Sequence, residues 1–197
     1  MSTLPQTTAF QPRKGQQDLI EYLPQIQRGD VLSVQWPTGY GKSIGFALVW
    51  KHCHQINMAN RLLMVVANDT QRQQIVNDFA GDCALVGAPC KGGVWSFERS
   101  AGDLRMARLG EVQVFVCTVQ QLEASMSRGG LNTLKDLLQV PGTKWLVGFD
   151  EFHHYGEAMA WGDAAKLAME HAEFSLAMSA TPYRRRSEEH TSELQSR

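Results

Sequence analysis

Apolar residues gather in short runs at 31–36, 61–67, 112–117, 144–149 and 174–178, each bounded by polar or turn residues. Runs of this length that do not alternate with polar positions predict strands covered on both faces, as in a parallel sheet. Between them the spacing changes to that of helices. Leu19, Ile20, Leu23 and Ile26 recur at helical intervals, with Pro24 placed to bend or shorten that helix. Residues 44–50, 71–79, 119–127 and 131–138 also read as helical, and Gly129-Gly130 separates the last two. Asn68-Asp69-Thr70 supplies capping side chains ahead of the second of these. Residues 81–111 carry the weakest pattern: a short strand at 85–88, a turn at 91–93 and a helix at 104–109 are expected, and no site. Strands alternating with helices predict an α/β fold with a mainly parallel sheet, whose ligands bind beyond the carboxyl ends of the strands.

The polar corners after those strands hold the candidate chemistry. The first strand stops at Pro37 and continues as Thr38-Gly39-Tyr40-Gly41-Lys42-Ser43. Gly39 and Gly41 lack a Cβ, so backbone can approach a ligand closely there. The helix that follows would aim free N–H groups and its positive dipole end at the same place, which suits an anion. Lys42 adds a mobile positive charge for the β- and γ-phosphates of a nucleotide, and the Ser43 hydroxyl is a hard oxygen ligand suited to Mg²⁺. The general phosphate-loop pattern has glycine where this chain has Trp36, so the match departs at its first position.

Arg13 and Gln16 stand just before the first helix. A glutamine amide both donates to and accepts from an adenine edge, although Gln16 alone reads more simply as a helix-start residue.

The fourth strand runs directly into Asp150-Glu151-Phe152-His153-His154. Two carboxylates at the end of a buried strand have to be solvated or paired. Facing the phosphate loop, Asp150 would hold Mg²⁺, directly or through water, while Glu151 orients and deprotonates an attacking water. His153 and His154 lack a third metal ligand and suit hydrogen bonding. The last strand ends in Ser179-Ala180-Thr181-Pro182.

Composition narrows the class without choosing a function. The 197 residues are 43% hydrophobic and 20% charged, with no apolar run long enough to span a bilayer and no visible secretory signal, so a cytoplasmic protein is expected. Cys53, Cys83, Cys90 and Cys117 form no C-x-x-C pair, which argues against a zinc site or a disulfide framework. A formal net charge of −1 leaves no global electrostatic footprint for nucleic acid, so any such contact must be local.

Taken in order, Pro37 to Ser43, Asp150 to His153 and Ser179 to Pro182 resemble motifs I, II and III of superfamily-two helicases and translocases. Within that group the chain is similar to DEAD/DEAH-like proteins. The double histidine and the run from Ser179 to Arg184 resemble the helicase subunits of restriction enzymes and related DNA translocases. The resemblance spans about residues 10–185 and implies a RecA-like P-loop NTPase domain, the first of two, using ATP and Mg²⁺. It implies catalytic roles for Lys42, Asp150, Glu151 and His153, adenine contacts from Arg13 and Gln16, and Mg²⁺ contacts from Ser43 and Asp150. It places Asn68 in motif Ia and Thr118 in motif Ib, which touch the nucleic-acid backbone, with DNA favoured over RNA. Motif Ia departs from the family pattern at Ala67, Asn68 and Gln71. Ser179 and Thr181 would couple nucleotide state to domain movement.

The organisation expected is a flexible lead-in at 1–9, the ATP-binding domain at 10–185 and a tail at 186–197 that resembles a translated sequencing-adapter oligonucleotide. The second RecA-like domain, which in the family supplies an arginine to the γ-phosphoryl group, is expected to lie outside this sequence. Such arginines are worth roughly 10³ to 10⁵ in rate, so nucleotide binding with little or no turnover is expected from these residues alone. Two alternatives stay open: a phosphate-loop ATPase or kinase acting on other substrates, and a non-enzymatic nucleotide-binding fragment.

Overall fold

The computed structural model of the chain describes residues 10–97, 110–127, 134–151 and 159–180. Its described strands form one six-stranded sheet: β1 (Val31–Gln35), β2 (Arg61–Val66), β3 (Val94–Ser96), β4 (Val114–Thr118), β5 (Trp145–Asp150) and β6 (Phe174–Ser179). They lie in the order β1-β6-β5-β2-β4-β3, and every pair is parallel. Helices α1 (Lys14–Tyr22), α2 (Lys42–Gln55), α3 (Asp69–Val86), α4 (Val119–Ser127), α5 (Leu134–Leu138) and α6 (Met159–Glu170) alternate with them. The expected α/β fold with a parallel sheet is therefore the one adopted.

The unbroken apolar runs are explained by what covers them. In β2, Leu62, Met64 and Val66 face a core shared with α1, α2 and α3, whereas Leu63 and Val65 face one shared with α4, α5 and α6. Period-2 alternation thus sorts side chains between two apolar layers instead of between core and solvent. Close packing leaves two positions no room for a side chain. A Cβ on Gly148 of β5 would lie 2.6 Å from the Phe46 ring, and one on Gly45 of α2 would lie 2.6 Å from both Met178 and the Trp36 ring.

Two expectations change. Residues 85–88 are not a strand, because α3 continues to Val86 and ends at Gly87, which has φ +69°. Phe79, Cys83 and Val86 are buried at helical spacing, and that packing decides the conformation over local strand preference. The expected helix at 71–79 consequently begins at Asp69 and spans 18 residues. Pro24 acts as anticipated, sitting in a 3₁₀ turn at Leu23–Gln25 directly after α1. β3 and α6 were not predicted, and the helix expected at 104–109 lies outside the described residues. No helix among the described residues is long and apolar enough to cross a membrane.

Strand order fixes what meets what. At the carboxyl edge, β6 lies between β1 and β5, so the segments after these three strands are neighbours. Those after β2 and β4 follow further along the same edge.

Candidate nucleotide-binding site

Gly39 and Gly41 adopt φ values of +76° and +90°, a left-handed conformation that glycine takes without a Cβ penalty. Gly41 is the N-cap of α2, and its carbonyl accepts from Gly45 N at 3.1 Å as the helix begins. A side chain at Gly41 would collide with the Gln16 amide, since its Cβ would sit 2.8 Å from Nε2. Trp36, in the place where the general pattern has glycine, is buried; its ring lies over Gly45 and beside Tyr40. The missing side chain at Gly45 makes room for the extra one at Trp36.

Lys42, the first residue of α2, points to the end of β5. Its Nζ pairs with Asp150 Oδ1 at 3.2 Å and also with Glu151 Oε1. All three side chains are mostly shielded from solvent, which strengthens their mutual attraction relative to an exposed pair. Glu151 has φ +55°, a strained value for a residue with a side chain. Its second oxygen, Oε2, accepts from Ala180 N at 3.2 Å, and Asp150 Oδ1 accepts from Glu151 N at 3.1 Å. Ser179 carbonyl accepts from Trp36 N at 3.0 Å, tying the end of β6 to the start of the loop. Three segments far apart in sequence thereby share one network.

Asp82 on α3 lies near Ser43. Burial pushes the Asp82 pKa up, the Ser43 hydroxyl draws it down, and nearby Asp78 pushes it up again.

Arg13 and Gln16 are joined to the loop. The Arg13 guanidinium donates to Gly39 O at 2.7 Å, and Gln16 Nε2 donates to Tyr40 O at 3.3 Å. Gln16 is buried and also accepts from Arg13 N at 3.0 Å through Oε1, so one amide hydrogen and one lone pair stay uncommitted in these contacts. Phe10, Arg13, Gln16, Gly41, Ile44 and Leu85 line a cleft of about 330 Å³ here. That is the low end of the usual ligand range of roughly 300–1,000 Å³.

Asn68 and Thr118 lie farther along the carboxyl edge. Asn68 is exposed and caps α3, its Oδ1 accepting from Gln71 N at 3.0 Å. Thr118 is buried; its hydroxyl accepts from Gln121 N at 3.3 Å at the start of α4. His153 and Thr181 lie outside the described residues.

Sequence reasoning missed two features. Tyr40 and Gly15 meet across the loop, the Tyr40 hydroxyl accepting from Gly15 N at 3.0 Å. Arg72 and Gln121 converge on Phe97, donating to its carbonyl at 3.4 Å and 2.6 Å. An aromatic residue inside a glycine-rich loop was the visible signal for the first; nothing in the pattern pointed to the second.

Two carboxylates, a lysine beside them and a loop turned by two glycines at positive φ form a set whose chemistry suits an anion and a divalent cation. Comparison with known proteins agrees at the level of family and fold. The family model described as "Type III restriction enzyme, res subunit" matches residues 9–184. Among curated proteins, "Uncharacterized protein ML1624" of Mycobacterium leprae (strain TN) is 47% identical over 47 residues, covering 24% of this chain and 8% of that one. "Uncharacterized protein Rv2917" of Mycobacterium tuberculosis (strain H37Rv) is 51% identical over 41 residues, 21% of this chain and 7% of that one.

Among solved structures, the UvsW helicase from bacteriophage T4 aligns with a TM-score of 0.60 at 17% identity, over 92% of this chain and 56% of that chain. The helicase domain of Pyrococcus furiosus Hef gives 0.61 at 21%, over 87% and 33%. The Sulfolobus solfataricus SWI2/SNF2 ATPase core, solved with dsDNA, gives 0.61 at 13%, over 92% and 34%. The chain spans less than a tenth of the curated relatives' length and between about a third and just over half of these solved chains. It belongs to the family of type III restriction enzyme res subunits and has the RecA-like fold of superfamily-two helicases.

Proposed function

We propose that the chain binds Mg-ATP in the cleft between the phosphate loop and the end of β5, as the ATP-binding half of a DNA-dependent motor. The observation that carries this reading is the convergence of Lys42, Asp150 and Glu151 at one point. Phosphates would take the place of the carboxylates as partners of the Lys42 ammonium, with loop N–H groups around them. Magnesium bound by Asp150 and Ser43 would neutralise charge on the β- and γ-phosphates. Glu151, relieved of Lys42, would accept the proton of the water that attacks the γ-phosphorus while the bond to the bridging oxygen breaks. The uncommitted hydrogen and lone pair of Gln16 match the acceptor and donor of an adenine edge, with Arg13 beside them. His153 would assist by hydrogen bonding.

Coupling to movement would pass through Ser179 and Thr181, since Glu151 already bonds the backbone at Ala180. DNA is the proposed track. The family's description as a restriction enzyme subunit and the dsDNA in the SWI2/SNF2 structure support it. Asn68 and the segment that Thr118 caps would face it. Movement on DNA belongs to the whole protein, with a second domain supplying the γ-phosphate arginine.

Titration with a fluorescent ATP analogue and Mg²⁺ tests the binding step. The 197-residue chain should bind, and Lys42→Ala should weaken binding by roughly tenfold or more. Equal affinity of the two proteins would refute the site. Turnover by the whole protein should rise on adding duplex DNA; indifference to DNA would refute the motor.

A further inference from the structure

Tyr40 is the one large side chain in the stretch from Pro37 to Gly41, and two of its groups are in use. Its ring packs beside Trp36, with centroids 5.4 Å apart, and its hydroxyl accepts the backbone N–H of Gly15 at 3.0 Å. That N–H lies in the first turn of α1, where backbone donors have no partner within the helix. The N-cap of α1 is Arg13, whose guanidinium donates and cannot accept. The phosphate loop therefore caps α1 from outside.

The helix returns the contact. Arg13 holds the Gly39 carbonyl at 2.7 Å and Gln16 holds the Tyr40 carbonyl at 3.3 Å, while the Arg13 guanidinium lies 5.6 Å from the Tyr40 ring centre. Gly15 is cleared for the arrangement, since a Cβ there would lie 3.0 Å from Trp36 Nε1 and 3.1 Å from Tyr40 Cε1.

We propose that Tyr40 is a positioning residue that fastens the base side of the nucleotide site to its phosphate side, so that base selectivity depends on the Tyr40–Gly15 hydrogen bond. This rests on the cleft being the ATP site proposed above. Without the hydroxyl, the Gly15 N–H loses its partner and the first turn of α1, which carries Gln16, is left tied to the loop only through the Arg13 and Gln16 side chains. The phosphate cradle keeps its shape, because the ring still packs on Trp36 and the Tyr40 carbonyl still accepts from Gln16. The damage should fall on recognition of the base and spare recognition of phosphate.

Competition against a fluorescent ATP analogue, with Mg²⁺ and the 197-residue chain, compares ATP with inorganic tripolyphosphate. The original protein should prefer ATP. Tyr40→Phe should weaken ATP by about five- to tenfold and change tripolyphosphate by less than about twofold, in a protein that stays folded with at most a few degrees lost from its melting temperature. Gly15→Ala, which presses on both rings, should give the same pattern by a different route. Equal losses of ATP and tripolyphosphate in both variants would show that Tyr40 only shapes the phosphate loop, and would overturn the proposal. Unchanged ATP affinity in both would overturn it too. If the original protein binds neither compound, the nucleotide site itself is wrong; if it binds ATP and the variants select as it does, only the role of Tyr40 falls.

Discussion

At the scale of single residues, the glycines of this chain divide by what their missing side chain allows. Gly39 and Gly41 turn the backbone, whereas Gly45 and Gly148 give up volume to a neighbour. Gly148 allows the cleaner test. A methyl group there meets the Phe46 ring at 2.6 Å inside a strand, where alanine brings no compensating helix preference. Gly148→Ala is expected to destabilise the fold by about 1–3 kcal/mol, read from the midpoint of denaturant unfolding. Gly45→Ala meets Trp36 and Met178 equally closely, but regains up to about 1 kcal/mol of helix propensity. The smaller loss should therefore belong to the helical site.

Between elements, the Asp82 carboxyl of α3 lies near Ser43 of α2, beside the candidate site. Burial raises the Asp82 pKa above its ordinary 3.8, so the folded protein takes up this proton at higher pH than the unfolded chain does. Stability from this group falls as pH rises from 3.8 through the raised value, and at neutral pH the charge is a standing cost. Asp82→Asn keeps an acceptor for Ser43 and should raise the melting temperature at pH 7, with the gain shrinking as pH falls toward 4. Which elements could be foreseen follows from side-chain contrast. β2 and β4 carry the unbroken apolar runs Leu62–Val66 and Val114–Cys117 and stood out, whereas β3 is three residues long and α6 packs through Ala164, Ala165 and Ala168, which barely differ from their surroundings in a hydropathy pattern. The 85–88 stretch misled because Val86 favours strand locally and sits in a short apolar run with Leu85, while burial at helical spacing with Phe79 and Cys83 was invisible without the partner surface.

For the whole molecule, the parallel α/β class was legible in the sequence, whereas the strand order that assembles the candidate site was not. Phosphate chemistry limits which residue types can serve, so Gly41-Lys42-Ser43 and Asp150-Glu151 could be picked out of the sequence as candidates, and the fold brings Lys42, Asp150 and Glu151 together. The order β1-β6-β5 that brings them together, and the contacts of Tyr40 with Gly15, depend on packing between distant segments and leave no local trace. Because the ends of three strands meet at this point, ligand binding should stabilise the entire sheet. Mg-ATP at a hundred times its dissociation constant should add about 2.7 kcal/mol to unfolding, seen as a rise in melting temperature; a tenfold weaker Lys42→Ala should keep only about 1.4 kcal/mol of it at the same concentration. Glu151 links two ends of the sheet through its two oxygens. One oxygen is engaged by an ammonium on the first helix turn after the loop and the other by an amide beyond the last strand, so a single carboxylate staples two parts of the machine. In the proposed function, a triphosphate that draws the ammonium away would release half of that staple and free the carboxylate in the same motion that seats the ligand.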